Sequence, residues 1–201
     1  WPAVQMLLRR LAPDGDLARQ VAQMADRTGH AAAMEAMPVL AKEAERTMRP
    51  LARFAEMLTA FARNQENGGR GEGGGGGGGY APRLALDGTT RSQPDWSRIE
   101  VEWSTVRSSL AHLINSLEHL VHELDTARWW ENEATATLFA ELREVHTNSV
   151  ELAHQLDDIL LAPRGSRRTR VAWMEGADNA STVTLAIAPL TVNELLEKEL
   201  L

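Results

Sequence analysis

The clearest pattern in the chain is a repeat of apolar side chains at alternating steps of three and four residues. Its positions are Trp96, Ile99, Trp103, Val106, Leu110, Leu113, Leu117, Leu120 and Leu124. This spacing over about four heptads predicts one long helix with a packed apolar seam. At a rise of 1.5 Å per residue, we expect the helix to be roughly 45 Å long.

A second repeat of the same kind follows after a short interruption. It uses Leu138, Leu142, Val145, Ser149, Leu152, Leu156 and Ile159. The segment ARWWENE between the two repeats is too short for anything except a tight reversal. Two helices with facing seams and a short link predict an antiparallel helical hairpin. Pro163 and Gly165 are expected to end its second helix.

The first third of the sequence predicts further helices. PAVQMLLRRLA is typical of a short helix. Asp14 or Asp16 is expected to cap a second helix. One face of that helix is expected to carry Leu17, Val21, Met24 and Thr28. A longer helix is expected from about Pro38, with a kink or break at Pro50 because proline removes a backbone hydrogen bond.

Two segments depart from this helical pattern. NQENGGRGEGGGGGGGYAP is a low-complexity stretch that favours a flexible loop, and it lacks the fixed offsets of a phosphate-binding glycine loop. RLALDG predicts a short strand. RRTRVAWMEG and STVTLAIAP predict a β-hairpin, since Val171 and Trp173 alternate in the first strand and Val183, Leu185 and Ile187 in the second. The final TVNELLEKELL is expected to be helical.

Composition narrows the class of protein. The chain has 201 residues, no cysteine and a net charge of −7, so disulfides and thiolate metal sites are excluded within it. No apolar run approaches the roughly 18 to 20 residues that a membrane span needs. We therefore expect a cytoplasmic protein without membrane contact. An acidic chain is atypical of a self-standing nucleic-acid binder, so any such role requires a local patch.

Two groups of side chains are candidates for contact with DNA. The densest basic cluster consists of Arg164, Arg167, Arg168 and Arg170. It could hold phosphates, or it could pair with acids at the preceding helix end. Trp129 and Trp130 lie in the predicted hairpin turn, where they could stack on single-stranded bases or close the turn by packing. Both alternatives stay open for each group.

Catalytic and metal sites have little support in the sequence. Glu151 and His154 have the i, i+3 spacing of carboxylate di-metal bundles, but that site requires a second such motif. His112, His119 and His122 share part of one helix face, which is also typical of a solvated surface. No nucleophile motif is present. We therefore predict no catalytic residue and no metal site in this chain.

Several motifs resemble DinG-type helicases. RLALDGTTRSQPDWSRIEVEWSTV is similar to the family's short strand followed by an arginine, a proline, a tryptophan and a helix with a further tryptophan. The matching residues are Arg91, Pro94, Trp96 and Trp103. VAWMEG and VTLAIAPLTVNELLEKELL resemble the family's strand with a tryptophan and an acid, then its Ala-Pro-Leu segment. The matching residues are Trp173, Glu175, Ala188, Pro189, Leu190, Val192 and Leu196. MRPLARFAEMLTAFARN resembles the family's helix ahead of a variable loop, so the likeness runs from about residue 45 to the C-terminus.

The resemblance implies the inserted arch domain of a DinG/XPD-like superfamily 2 DNA helicase, which lies between the DEAH box and the SAT motif of the first motor domain. The parent protein would hydrolyse ATP with Mg²⁺ and translocate along single-stranded DNA, while the arch helps to enclose the strand. This chain alone is expected to lack ATPase activity and cofactors, to be monomeric, and to contact the motor domains of its own chain. Because it starts at Trp1 and stops within a predicted helix, we expect it to be a segment of a larger protein.

The expected organisation has four parts. Residues 1–64 form the N-terminal helices, 65–81 the glycine-rich loop, 82–162 a short strand and the long hairpin, and 163–201 a β-hairpin and a helix leading to the motor. The predicted fold class is mainly α with a small β element, near 83–87 and 168–188. A stand-alone helical-hairpin module for protein interaction remains the alternative, because heptads suit it equally well. A helical-bundle metalloenzyme is a third.

Overall fold

The computed structural model describes residues 2–68, 83–161, 170–176 and 183–189, and it is mainly helical with one small antiparallel sheet. In chain order the elements are α1 (Pro2–Leu11), α2 (Asp16–Thr28), α3 (Ala31–Gly68), β1 (Arg83–Ala85), α4 (Gly88–Arg91), α5 (Pro94–Thr126), a 3-10 turn (Trp129–Glu131), α6 (Glu133–Leu160), β2 (Arg170–Gly176) and β3 (Val183–Pro189). This confirms the predicted fold class. Most of the glycine-rich stretch and the predicted final helix lie outside the described residues.

The long helix with the apolar seam is present as predicted. α5 has 33 residues, which corresponds to a length of roughly 50 Å. Every seam position from Trp96 to Leu124 is at most 3% exposed. The a/d spacing therefore places one continuous stripe of side chains in the core, and burial of this stripe is the main stabilising contribution of the helix.

α6 follows the second repeat with one exception. Its positions Leu138, Leu142, Val145, Ser149, Leu156 and Ile159 are buried. Leu152 is only half-buried. The Ser149 hydroxyl donates to the carbonyl oxygen of Val145 at 2.7 Å, so a polar residue fits this seam without an unsatisfied group.

The two long helices run antiparallel, as the short link predicts. α5 ends at Thr126 and α6 begins at Glu133. Near the other end of the pair, the indole Nε1 of Trp103 donates to Asp157 Oδ1 at 2.9 Å. A residue early in α5 thus contacts a residue in the last turn of α6, which is the register of a helical hairpin.

The start of α2 differs from the prediction. Gly15, and not Asp14 or Asp16, is the N-cap residue, and Asp16 is the first helical residue. A Cβ atom at Gly15 would lie 2.1 Å from the carbonyl oxygen of Arg10, so only glycine fits this close approach of two backbones. The buried positions of α2 are Leu17, Ala18, Val21 and Ala25. Of the four residues predicted to share one face, Met24 is half-buried and Thr28 is exposed, because Ala18 and Ala25 complete the buried face beside Leu17 and Val21.

The connection from α2 to α3 is tight. Gly29 ends α2 with a φ of 67°, a left-handed conformation that favours glycine. The amide of His30 donates to the carbonyl of Ala25 at 2.8 Å. The His30 Nδ1 in turn accepts from the amide of Ala33 at 3.1 Å and so caps the next helix. α3 therefore begins at Ala31, earlier than the predicted start near Pro38.

Pro50 does not break α3, which is assigned as one helix of 38 residues with Pro38 and Pro50 inside it. Proline in a helix interior costs about 3 kcal/mol. Apolar burial on both sides of Pro50 offsets this cost. The buried side chains are Met37, Leu40, Ala41 and Ala44 before it and Leu51, Phe54, Leu58 and Phe61 after it. The helix also continues to Gly68, so the first residues of the predicted loop 65–81 are helical.

The three strands form one sheet in the order β1-β2-β3, with both pairs antiparallel. The β-hairpin of β2 and β3 was predicted, whereas the pairing of β1 with β2 was not. Met174 is fully buried, and the side chains of Val171 and Trp173 on the opposite face are only half-buried. The buried face of β2 is therefore the one that carries Met174, and the alternating residues Val171 and Trp173 lie on the other face.

The chain divides into two compact units, which we call the sheet unit and the tip unit. Among the described residues, the sheet unit comprises 53–68, 83–103, 156–161, 170–176 and 183–189, and the tip unit comprises 2–52 and 104–155. The sheet unit holds the three strands, α4 and the adjoining ends of α3, α5 and α6. The tip unit holds α1, α2 and the turn of the hairpin.

Candidate functional site

The turn of the helical hairpin is a defined structure. Arg128 has a φ of 55°, an uncommon left-handed conformation for a residue other than glycine, and it reverses the chain after α5. The Thr135 hydroxyl donates to the carbonyl oxygen of Trp129. Asn132 Oδ1 accepts from the amide of Ala134 at 2.9 Å. These bonds fix the start of α6 and join it to the backbone of Trp129.

The two tryptophans of this turn have different environments. Trp129 is 4% exposed, and its ring meets the ring of His30 edge to face, with centroids 5.9 Å apart. It therefore closes the turn by packing, which is the structural alternative given for it. Trp130 is 51% exposed. Only Trp130 presents an aromatic surface that a base could stack on.

The charges beside Trp130 nearly cancel. Arg128 and Glu131 form an exposed ion pair at 3.2 Å. Such a pair contributes little to stability and is screened by salt. The turn therefore offers an aromatic surface and no strong cationic patch.

The predicted basic cluster falls mostly outside the described residues. Arg164, Arg167 and Arg168 lie there, and Arg170 is the first residue of β2. In chain order the cluster lies between α6 and β2.

Arg91, which carries part of the helicase resemblance, is a buried residue of the sheet unit. It is 3% exposed, and its Nε donates to the carbonyl of Leu86 at 3.0 Å. Its Nη1 donates to the carbonyl of Leu160 at 2.9 Å, and its Nη2 to that of Ile159. Ile159 and Leu160 are the last two residues of α6, so their carbonyl oxygens have no amide partner within the helix. A positive charge is also favourable at this end of a helix because of the helix dipole. Arg91 thus joins α4 to the end of the hairpin.

Two tryptophans of the same resemblance, Trp96 and Trp103, are buried in the core of the sheet unit. The Arg91 guanidinium lies 5.4 Å from the ring centroid of Trp96, a cation–π distance. Trp96 meets Phe61 at 5.5 Å between centroids. Trp103 meets Phe54 of α3, also at 5.5 Å. These ring contacts join α3 to α5, and the hydrogen bond from Trp103 to Asp157 joins α5 to α6.

A further polar group lies on one face of the sheet. Arg83 and Glu175 are paired across β1 and β2, with Nε and Oε1 2.7 Å apart. The same Oε1 accepts from Trp173 Nε1 at 2.7 Å. The Arg83 guanidinium lies 5.8 Å from the Trp173 ring centroid. Arg83 of β1 therefore contacts both Trp173 and Glu175 of β2, and these cross-strand contacts fix the register of β1.

An open groove of about 500 Å³ lies between α1 and α6 in the tip unit. Its lining residues are Val4, Met6, Leu7, Arg10, Glu141, Glu144, Val145, Asn148, Glu151, Leu152 and Gln155. Apolar side chains form its floor, and carboxylates stand along the α6 side. This groove was not predicted. The sequence signal was present in the polar residues Glu141, Asn148 and Gln155, which repeat beside the predicted seam at steps of seven.

Arg10 closes one end of this groove with two carboxylates. It binds Glu141 across the groove and Asp16 at 3.3 Å. The hydrogen bond with Glu141 raises the pKa of the Arg10 guanidinium, although desolvation acts in the opposite direction. At Asp16, desolvation raises the pKa of the carboxyl group. The charge of Arg10 and its hydrogen bond lower this pKa, and the net result is a lowered pKa. Because this pKa is lowered on folding, the stabilising effect of Asp16 is present at neutral pH and is lost as the pH falls through its folded-state pKa.

The histidine candidates are dispersed on the surface. His112, His119, His122 and His154 are exposed, as is Glu151. Within the described ranges, no three histidine, aspartate or glutamate side chains come together in a way that could hold a metal ion. Among the helices that the structure describes, none has the length and apolar character needed to cross a membrane.

Comparisons of this chain with protein-family models, with curated proteins and with solved structures give no match. The functional assignment therefore rests on the residues themselves.

Proposed function

We propose that this chain is the arch domain of a DinG/XPD-like ATP-dependent DNA helicase. The parent protein would bind ATP and Mg²⁺ in motor domains of the same polypeptide, act in the cytoplasm and move along single-stranded DNA. The arch would enclose and guide that strand beside the motor. The chain itself would hydrolyse no ATP.

The observation that carries the proposal is the common location of the resemblance residues. Arg91, Trp96, Trp103, Trp173 and Glu175 all belong to the sheet unit. Arg91 and Trp96 contact each other, and the Leu86 amide after β1 donates to Ala172 of β2 at 2.9 Å. Residues from separate parts of the sequence thus belong to one compact unit, as expected if they are the structural signature of one domain type.

The helical hairpin suits a mechanical role. α5 and α6 bury apolar seams along most of their length, and this tertiary packing stabilises both long helices. A rod of this kind can hold a passage open without a large core of its own. Trp130 at the turn supplies an exposed ring for stacking against single-stranded bases.

A stand-alone interaction module is the second candidate function. The open groove beside α6 favours it, since a partly apolar groove between helices is a common docking place for a partner helix. The two functions are separable, because only the helicase requires single-stranded DNA and ATP.

The role of Trp130 in DNA contact can be tested by substitution in the full-length gene product. We expect Trp130→Ala to weaken binding of a fluorescent single-stranded oligonucleotide by about 5- to 150-fold in an anisotropy titration, because stacking contributes about 1–3 kcal/mol per base. Trp130→Phe should retain most of the affinity. Val101→Ala is the matched control, since Val101 is 69% exposed on α5 and carries no aromatic ring.

Equal affinities of the wild type and Trp130→Ala for the oligonucleotide would show that Trp130 does not contact the DNA. A full-length protein that binds no single-stranded oligonucleotide at all would count against the helicase and leave the interaction module.

A further inference from the structure

One face of α6 between residues 141 and 155 repeats like a second helix seam. Glu141, Val145, Asn148, Leu152 and Gln155 follow one another at steps of four and three, and all of them line the groove. Over this distance the helix rises by roughly 21 Å. A face with this period matches the side of another helix and not an extended peptide.

The floor of this face is apolar and incompletely covered. Val145 is 8% exposed, but Leu152 is only half-buried although it lies in the hairpin seam. On the α1 side, Met6 is 62% exposed. Methionine is an adaptable side chain that is common at protein-binding surfaces. These residues give a partner helix apolar surface to bury.

The charge of the groove is negative. Glu144 and Glu151 stand on its α6 side, seven residues and therefore roughly 10.5 Å apart. Neither forms an ion pair with any residue in the described part of the chain. Arg10 is the one cation of the lining, and it already binds Glu141 and Asp16. The groove thus holds two unneutralised carboxylates at the spacing of two helical turns.

We propose that this groove binds a basic amphipathic helix of another protein. Its apolar side would cover Met6, Val145 and Leu152, and Lys or Arg side chains seven residues apart would pair with Glu144 and Glu151. Nucleic acid and anionic membranes are disfavoured here because both repel carboxylates. A second copy of the chain is disfavoured by its net charge of −7. The proposal does not depend on the helicase assignment.

A pair of designed peptides tests this inference on the whole chain. Both would be 21-residue helices with leucine at the a and d positions; one has lysine at e and g, and the other has glutamate there. We expect the lysine peptide to bind about tenfold or more tightly than the glutamate peptide, in isothermal titration calorimetry at 0.15 M salt. The double variant Glu144→Lys/Glu151→Lys should reverse this preference.

The matched control is Glu118→Lys/Asp125→Lys on α5. These two acids are exposed, lie in the same tip unit and are also seven residues apart, so the control makes the same change in net charge. It should keep the preference for the lysine peptide. Circular dichroism would verify that both double variants are folded.

Three results would overturn the proposal. An equal loss of lysine-peptide binding in both double variants would show attraction to net charge only. Equal binding of both peptides would show that the acids do not select the partner. A dimer in sedimentation that Glu144→Lys/Glu151→Lys dissociates would assign the groove to a second copy of the chain. None of these results bears on DNA binding or ATP hydrolysis, so the two proposals fail separately.

Discussion

Replacing Arg91 by alanine is expected to lower the free energy of unfolding by about 3–5 kcal/mol, because it leaves buried hydrogen-bonding groups without a partner. Arg91 is 3% exposed and donates to the carbonyls of Leu86, Ile159 and Leu160. Removing it also leaves a space beside Trp96. Urea denaturation of the 201-residue chain, followed by circular dichroism at 222 nm, measures the change.

Two further variants separate the causes of this effect. Arg91→Lys keeps the charge but loses the planar fork, and we expect an intermediate loss because lysine cannot reach all three carbonyls in one geometry. Arg98→Ala is the control: its side chain is 79% exposed in an ion pair with Asp95, so a change within about 0.5 kcal/mol is expected. An Arg91→Ala variant as stable as Arg98→Ala would contradict the proposed role of Arg91 at the end of α6.

Replacing Trp103 by alanine is expected to cost about 3–5 kcal/mol of stability, since it removes a fully buried indole from the core. The ring packs against Phe54 of α3, and its Nε1 donates to Asp157 of α6. Trp103→Phe should cost less, about 1–2 kcal/mol, because it loses mainly the hydrogen bond to Asp157. The same urea denaturation measures both.

Trp130→Ala provides the matched comparison for this prediction. Trp130 is 51% exposed, so the same substitution is expected to change the free energy of unfolding by less than about 0.5 kcal/mol. Equal losses for Trp103→Ala and Trp130→Ala would mean that Trp103 does not hold α3, α5 and α6 together.

The helical hairpin could be predicted from the sequence because its signal is repeated. Each step of three or four residues from Trp96 to Leu124 is an independent indication of the same face, and all these side chains are buried. The strands of the β-hairpin were predicted for a similar reason. The alternation did not indicate which face of β2 is buried. Met174 lies on the buried face, and the indole of Trp173 on the other face donates to Glu175.

The errors fall where a single residue conflicts with its surroundings. Pro50 predicts a kink or a break by local chemistry, and of these two the break is absent, because packing on both sides outweighs a cost of about 3 kcal/mol. Gly15 was not recognised as a cap, since its role depends on the backbone of Arg10. Tertiary contacts of this kind are not encoded in local spacing.

The candidate site was predictable only in part. The sequence did not indicate which of the two adjacent tryptophans in the turn is exposed. Trp129 is the buried one because it packs against His30, which is distant in the sequence. The groove beside α6 was missed because the same face also serves the hairpin seam at Val145 and Leu152. The polar repeat of Glu141, Asn148 and Gln155 was not singled out, because polar residues beside an apolar seam most often form a solvated surface.

The central claim is that this chain belongs to an ATP-driven motor that moves on single-stranded DNA. The most direct test is the rate of ATP hydrolysis by the full-length gene product, measured with Mg²⁺ in the presence and absence of a single-stranded oligonucleotide. We expect hydrolysis that the oligonucleotide stimulates, and none from the 201-residue chain alone. A full-length product without DNA-stimulated ATP hydrolysis would contradict the claim.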